Sequence, residues 1–177
     1  MQGAAPAELD APLILTVAPN GAYKKTSDHP AVPVTPGQLA ETAKQCLDAG
    51  AAMLHMHVRK ADQSHSLEPD TYLAATRAVR QAVGNELVIQ ITTEAAGVYA
   101  PDEQVAAVMA VKPEAVSVGL REIALGPQAD ARVESLFSWL ARERVMTQVI
   151  LYDVGDVERF PHLGVEARRS GPGAHRL

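Results

Sequence analysis

Two histidines one residue apart, His55 and His57, close a short apolar run and are followed by Val58 and Arg59. In a β-strand, side chains two apart point to the same side. Both imidazoles would then leave one face about 6–7 Å apart along the backbone, within reach of a single metal ion. Histidine is the commonest protein metal ligand. The competing reading is a pair of half-buried histidines bonded to backbone carbonyls, and the spacing alone does not choose between them. A catalytic zinc uses three protein ligands and keeps an open position for water or substrate. His55 and His57 supply two, and no nearby residue has the spacing of a third. His29 in Asp28-His29-Pro30 and His65 in Ser64-His65-Ser66 are read as turn or solvent histidines.

The elements that would carry these side chains alternate along the chain. Leu13–Pro19 is a strand candidate, followed by a loop rich in turn formers over Asn20–Pro36. Thr35 as N-cap, Pro36 at the first helical position and Gln38 as a capping-box partner open a helix that runs to Ala49 and stops at Gly50. Ala52–Val58 is the strand with the histidines. The cycle repeats with a helix over Pro69–Val83, a strand over Leu87–Thr93, a helix over Pro101–Val111 and a strand over Ala115–Leu120. A helix over Ala131–Arg144 and a strand over Thr147–Tyr152 follow, and Asp156 begins another helical stretch.

Five strands alternating with four helices imply βαβ units and a parallel sheet. Right-handed crossovers leave an open doubly wound sheet or a (β/α)8 barrel. The glycine-rich phosphate loops of nucleotide-binding open sheets are absent. A complete barrel usually needs about 250 residues, whereas this chain has 177. It is therefore expected to hold about five βα units of the repeat over 12–164, between a flexible lead-in at 1–11 and a disordered tail at 165–177.

Composition narrows the function classes. A net charge of −5 gives no support to nucleic-acid or anionic-membrane binding. No segment approaches 18 continuous apolar residues, so no membrane span is expected. The single cysteine, Cys46, lies in a helical pattern, excludes an internal disulfide and fits a reducing, cytoplasmic compartment. In parallel α/β folds chemistry collects at the carboxyl ends of the strands. Those ends are polar here: Asn20-Gly21, His55 to Arg59, Thr92-Thr93-Glu94, Ser117 with Arg121-Glu122, and Tyr152-Asp153. Asn20 suits a turn whose amide faces substrate. Arg59 suits a carboxylate or phosphate, or a surface pair with Asp62. Only one of Thr92 and Thr93 can enter a pocket, since neighbours alternate faces.

These residues carry a family resemblance. Ala18-Pro19-Asn20-Gly21-Ala22, Asp28-His29-Pro30, Pro33-Val34-Thr35-Pro36 and Ala49 to Arg59 resemble the β-keto acid cleavage enzymes, and His65-Ser66-Leu67, Gln90 to Glu94, Ser117, Leu120-Arg121-Glu122 and Ile150 to Asp153 continue the match in order. The resemblance implies a (β/α)8 barrel assembled as a homotetramer, with zinc held by His55, His57 and a glutamate from a late strand. It implies condensation of a small β-keto acid with acetyl-CoA, then carbon–carbon cleavage to acetoacetate and a new CoA thioester. Asn20, Arg59, Thr92 and Ser117 then become substrate-binding candidates.

Three departures qualify what the resemblance implies. Tyr23 and Gln148 stand where some members have glutamates, which argues against an amino-bearing substrate. The late-strand arginine, aspartate and glutamate have no counterpart, so no catalytic residue is assigned. The chain is expected to be an N-terminal, truncated or frameshifted version that binds zinc poorly and performs no thioester exchange alone. The alternatives are a non-catalytic α/β binding module, or a metal-dependent barrel lyase or aldolase using the same two histidines.

Overall fold

The computed structural model describes residues 13–126 and 128–163. The expected lead-in at 1–11 and tail at 165–177 lie outside the described residues. The chain opens with β1 (Thr16–Val17), α1 (Pro36–Asp48) and β2 (Met53–His55). A hairpin of β3 (Val58–Arg59) and β4 (His65–Ser66) follows, then α2 (Pro69–Val83), β5 (Val88–Thr92), α3 (Pro101–Val111) and β6 (Ala115–Gly119). The last described elements are α4 (Leu120–Ile123), α5 (Ala129–Arg142), β7 (Met146–Ile150), α6 (Val154–Arg159) and a 3-10 turn (Phe160–Leu163).

The main sheet is parallel, with strands in the order β1-β2-β5-β6-β7. Each strand sits beside its predecessor in that chain order, with helices in the main connections, which is the progression of a partial (β/α) barrel.

Register divides the sheet into two chemically distinct faces. His55 is level with Gln90, Thr92 with Ser117, and Ser117 with Gln148. These residues share the inner face. The alternate positions Leu54, Ile89, Ile91, Val116 and Val118 form the outer face and are buried in the apolar core. Against them pack Leu39 and Ala43 of α1, Tyr72 and Val79 of α2, Val108 of α3, and Val133, Leu136 and Leu140 of α5. Their recurrence every three or four residues is the helical period read from the sequence.

Local signals account for where elements begin and stop. The Thr35 hydroxyl accepts from the Gln38 amide at 3.3 Å, and the Gln38 side chain accepts from the Thr35 N–H at 3.0 Å. Gly50 takes φ of 95° just past the helix, a conformation that glycine adopts without steric cost.

Several boundaries differ from expectation. The histidine strand does not run through Val58. The sheet lets go after His55, because the His57 backbone is taken up by the Asn20 side chain and the chain turns into the β3–β4 hairpin. The first strand is only two residues long. β7 ends at Ile150 rather than Tyr152, whose N–H bonds to the Asp156 carboxylate at 2.8 Å. α6 starts before Asp156, capped by the Asp153 side chain at 3.0 Å. No helix among the described residues is long and apolar enough to cross a membrane.

Replacing the α1 cap is the direct test of this boundary logic. Thr35→Ala should lower unfolding free energy by about 1 kcal/mol, and Thr35→Ser by much less. Urea midpoints at constant m-value read both.

Candidate functional site

His55 and His57 lie at the carboxyl end of β2 and turn toward one another. Their ring centroids are 5.0 Å apart at an interplanar angle of 69°, and their Nε2 atoms are 3.1 Å apart. His55 Nδ1 lies 2.7 Å from the side-chain oxygen Oε1 of Gln90. An amide oxygen only accepts, so Nδ1 carries the proton and Nε2 presents its lone pair. Burial pushes the His57 pKa down to about 3, with His55, His65 and Arg59 adding to the fall, so this ring is neutral at ordinary pH. Two nitrogens at this separation fit a cation held at about 2.0–2.1 Å from each, at an angle of roughly 100°. The two rings therefore suit two adjacent corners of a metal centre. No group of three His, Cys, Asp or Glu able to hold a metal occurs among the described residues.

Asn20 places His57. Its amide oxygen accepts from the His57 N–H at 3.1 Å, and its nitrogen donates to the His57 carbonyl at 2.8 Å and to the Pro33 carbonyl at 3.0 Å. The side chain acts as a substitute strand neighbour just where the sheet ends. Arg59 holds the same loop through its carbonyls. Its guanidinium donates to the carbonyls of Asn20 and Lys24, both at 3.1 Å, and to those of Gly21 and Ala22. The expected surface pair of Arg59 with Asp62 does not form. Arg59 is buried, and Asp62 accepts instead from the backbone and hydroxyl of Ser64.

The inner face continues the polar character. Gln90 donates to the Gln148 side chain at 3.2 Å, linking β2, β5 and β7 through two amides. The Ser117 hydroxyl donates to the Thr92 hydroxyl at 3.1 Å, and Thr92 also accepts from the Glu94 N–H at 3.0 Å. Thr93, on the other face, accepts from the Gly119 N–H at 3.2 Å. Around the rim, Tyr23 donates to Glu94 at 3.4 Å, and the Glu122 carboxylate accepts from the Ala95 N–H at 3.1 Å. Burial is the main cause raising the Glu122 pKa, and the neighbouring Glu94 adds to it. Gly119 has no Cβ where one would approach Glu122 to 3.1 Å and the Tyr152 hydroxyl to 3.4 Å.

Sequence reasoning underrated two residues. Gln90 is a β-former position by pattern, and only the register shows it orienting His55. His65, expected in solvent or a turn, is buried instead: β4 pairs it with Arg59, and its ring centroid is 5.3 Å from that of His57. The signal was weak because the hairpin strands are two residues each, too short for a period to show. His29 is exposed and accepts locally from the Ala31 N–H, as a turn histidine does.

The fold is that of a (β/α)-barrel protein with its polar groups gathered on the carboxyl rim. The chain belongs to the beta-keto acid cleavage enzyme family, whose model matches residues 12–171. It is 26% identical over 132 residues to the 3-oxoadipate:acetyl-CoA acetyltransferase of Cupriavidus necator, covering 75% of this chain and 45% of that protein. It is 30% identical over 106 residues to the 3-keto-5-aminohexanoate cleavage enzyme of Acetoanaerobium sticklandii, covering 60% of this chain and 38% of that one. Identity to the 3,5-dioxohexanoate:acetyl-CoA acetone transferase of Paraburkholderia graminis is 28% over 129 residues, covering 72% and 41%. The chain thus spans less than half the length of these curated relatives. A solved ternary complex of ObcA with a C4-CoA adduct and oxalate matches with a TM-score of 0.61 at 19% identity, over 73% of this chain and 33% of that one, which supports the fold.

Two outcomes test this description. Asn20→Ala leaves the His57 N–H and two carbonyls without their partner, and should cost roughly 1–3 kcal/mol in a urea titration. Glu122 holds its proton more tightly folded than unfolded. Between the ordinary 4.5 and its raised value the folded chain therefore binds more protons, and its contribution falls as pH rises. Glu122→Gln keeps an oxygen for the Ala95 N–H, so it should raise the melting temperature near neutral pH. That gain should disappear below 4.5.

Proposed function

We propose that this chain carries the metal-holding and keto-acid-binding part of a β-keto acid:acetyl-CoA acyl transfer site. His55 and His57 would hold zinc through Nε2, with Gln90 keeping the His55 proton on the far nitrogen. The observation that carries the reading is the 3.1 Å approach of the two Nε2 atoms at the end of β2, a separation at which both nitrogens can reach one cation. Bound zinc would supply Lewis acidity toward the keto acid's oxygens.

The chain's own residues would do the rest by placement. Asn20 and Arg59 fix the loop that frames the pocket, and keep the His57 backbone still. Thr92 and Ser117 form a hydroxyl pair on the inner face that can accept or donate to a bound oxygen. Gln148, neutral where a carboxylate would attract an ammonium group, favours keto acids without an amino substituent. The reaction supported by family membership and by the acetyl-CoA-dependent names of the relatives joins a β-keto acid to acetyl-CoA, then cleaves a carbon–carbon bond to acetoacetate and a new acyl-CoA.

Cobalt serves as a visible substitute for zinc. At high cobalt concentration the wild-type chain should develop a d–d absorption, weakly held because His55 and His57 supply only two ligands, and lost in His55→Ala and in His57→Ala. Addition of 3-oxoadipate should perturb that band, and adipate, which lacks the keto group, should not. Equal cobalt uptake by wild type and both variants would overturn the metal assignment. Acetoacetate release that proceeds without acetyl-CoA would replace acyl transfer with a lyase or aldolase reaction.

A further inference from the structure

The main sheet has two free edges. Among the described residues, β1 has no neighbour on the side away from β2, and β7 has none on the side away from β6. An open edge of this kind is a template for pairing with another chain. The ladder shows which backbone groups are left over. The Met146 N–H donates to the Glu114 carbonyl at 2.9 Å, toward β6. Backbone groups alternate sides along a strand in a parallel sheet, so those of Thr147 and Val149 point to the open edge. On β1 the Leu15 carbonyl accepts from the Ala52 N–H at 2.9 Å, toward β2, which turns the groups of Thr16 outward.

Large apolar side chains gather at the same two places. Leu13, Ile14 and Leu15 lead into β1, while Met146 belongs to β7, and Val154 and Val157 to the α6 helix that follows it. All six are between 46% and 85% exposed. The chain's own outlying segments do not suit these edges. Residues 1–12 and 164–177 carry no alternating apolar run, and the second segment is rich in arginine and glycine. A stable interface takes about 800 Å² from each partner, and six large apolar side chains exposed to this degree supply an area of that order.

We propose that the two edges join a second copy of the chain, with β7 of each protomer pairing in parallel with β1 of its partner. A twofold axis along the strands keeps every strand parallel and forms both junctions at once, so the assembly closes as a ring of two. Inner positions then meet inner positions. Thr16 is level with Met53 and so lies on the His55 side, and it joins the row of Met146 and Gln148. Each copy need only splay its five strands further than an eight-stranded barrel does, since barrel diameter rises with strand number. This pairing needs neither the metal nor the substrate of the acyl-transfer reading.

Sedimentation velocity of the full chain at micromolar concentration should give twice the 18.8 kDa of one copy. Thr147→Pro removes an outward N–H while leaving the β6 ladder its donors, a change that edge strands tolerate. Ile14→Lys puts a charge at the other edge. Each variant alone should sediment as a monomer with wild-type circular dichroism. Mixing the two should restore a dimer, because the intact β7 of one variant meets the intact β1 of the other. Val154→Lys, on the helix after β7, replaces the proline variant if that one unfolds. A monomeric wild type would overturn the proposal, as would a dimer that both variants leave intact. Loss of the dimer in Thr147→Pro but not in Ile14→Lys would mean like-with-like pairing of β7, and assemblies beyond two copies would mean that the ring does not close; either result also overturns it.

Discussion

The Asn20 carboxamide is the contact on which the rest of the rim depends. One side chain meets both backbone groups of His57 and the carbonyl of Pro33. It thereby joins the loop after β1, the approach to α1 and the point where β2 leaves the sheet. Without it, His57 would have a free N–H and C=O in a buried position, which proteins rarely tolerate. Arg59 completes the arrangement by gathering four carbonyls of the loop that presents Asn20. A guanidinium suits this task because its donors form a rigid fork and its charge survives burial.

From that anchor the inner face follows in order. Gln90, level with His55, holds its Nδ1 and reaches Gln148 two strands further on. Thr92 and Ser117, one pleat nearer the rim, satisfy each other. None of these groups requires water to complete a first hydrogen bond. An inner surface organised this way changes little on meeting a ligand, and that preorganisation is what makes fixed dipoles effective at a reacting centre.

Much of the architecture was legible because period and punctuation agreed. Thr35, Pro36, Gln38 and Gly50 mark both ends of α1, and the aliphatic alternation of Ile89, Ile91, Val116 and Val118 marks the helix-facing side of the strands. The pairing of His55 with His57 was legible too, although its cause is only partly the strand: β2 stops at His55, and the loop amide aims the second ring. Unreadable features depended on contacts distant in the chain. Gln90 lies 35 residues from the imidazole it orients, and Asn20 is 37 residues from the backbone it fixes. His65 was misread because a two-residue strand leaves no periodic trace, and burial there comes from a hairpin folding back.

The two-faced register has an evolutionary corollary. Odd and even positions of the same strand answer to different pressures: Ile89 and Ile91 to packing, Gln90 and Thr92 to whatever is bound. A lineage can exchange every second residue to accept a new acid while the scaffold's hydrophobic inventory stays untouched. Divergence of substrate among distant cousins with a common framework is the natural outcome of such parity.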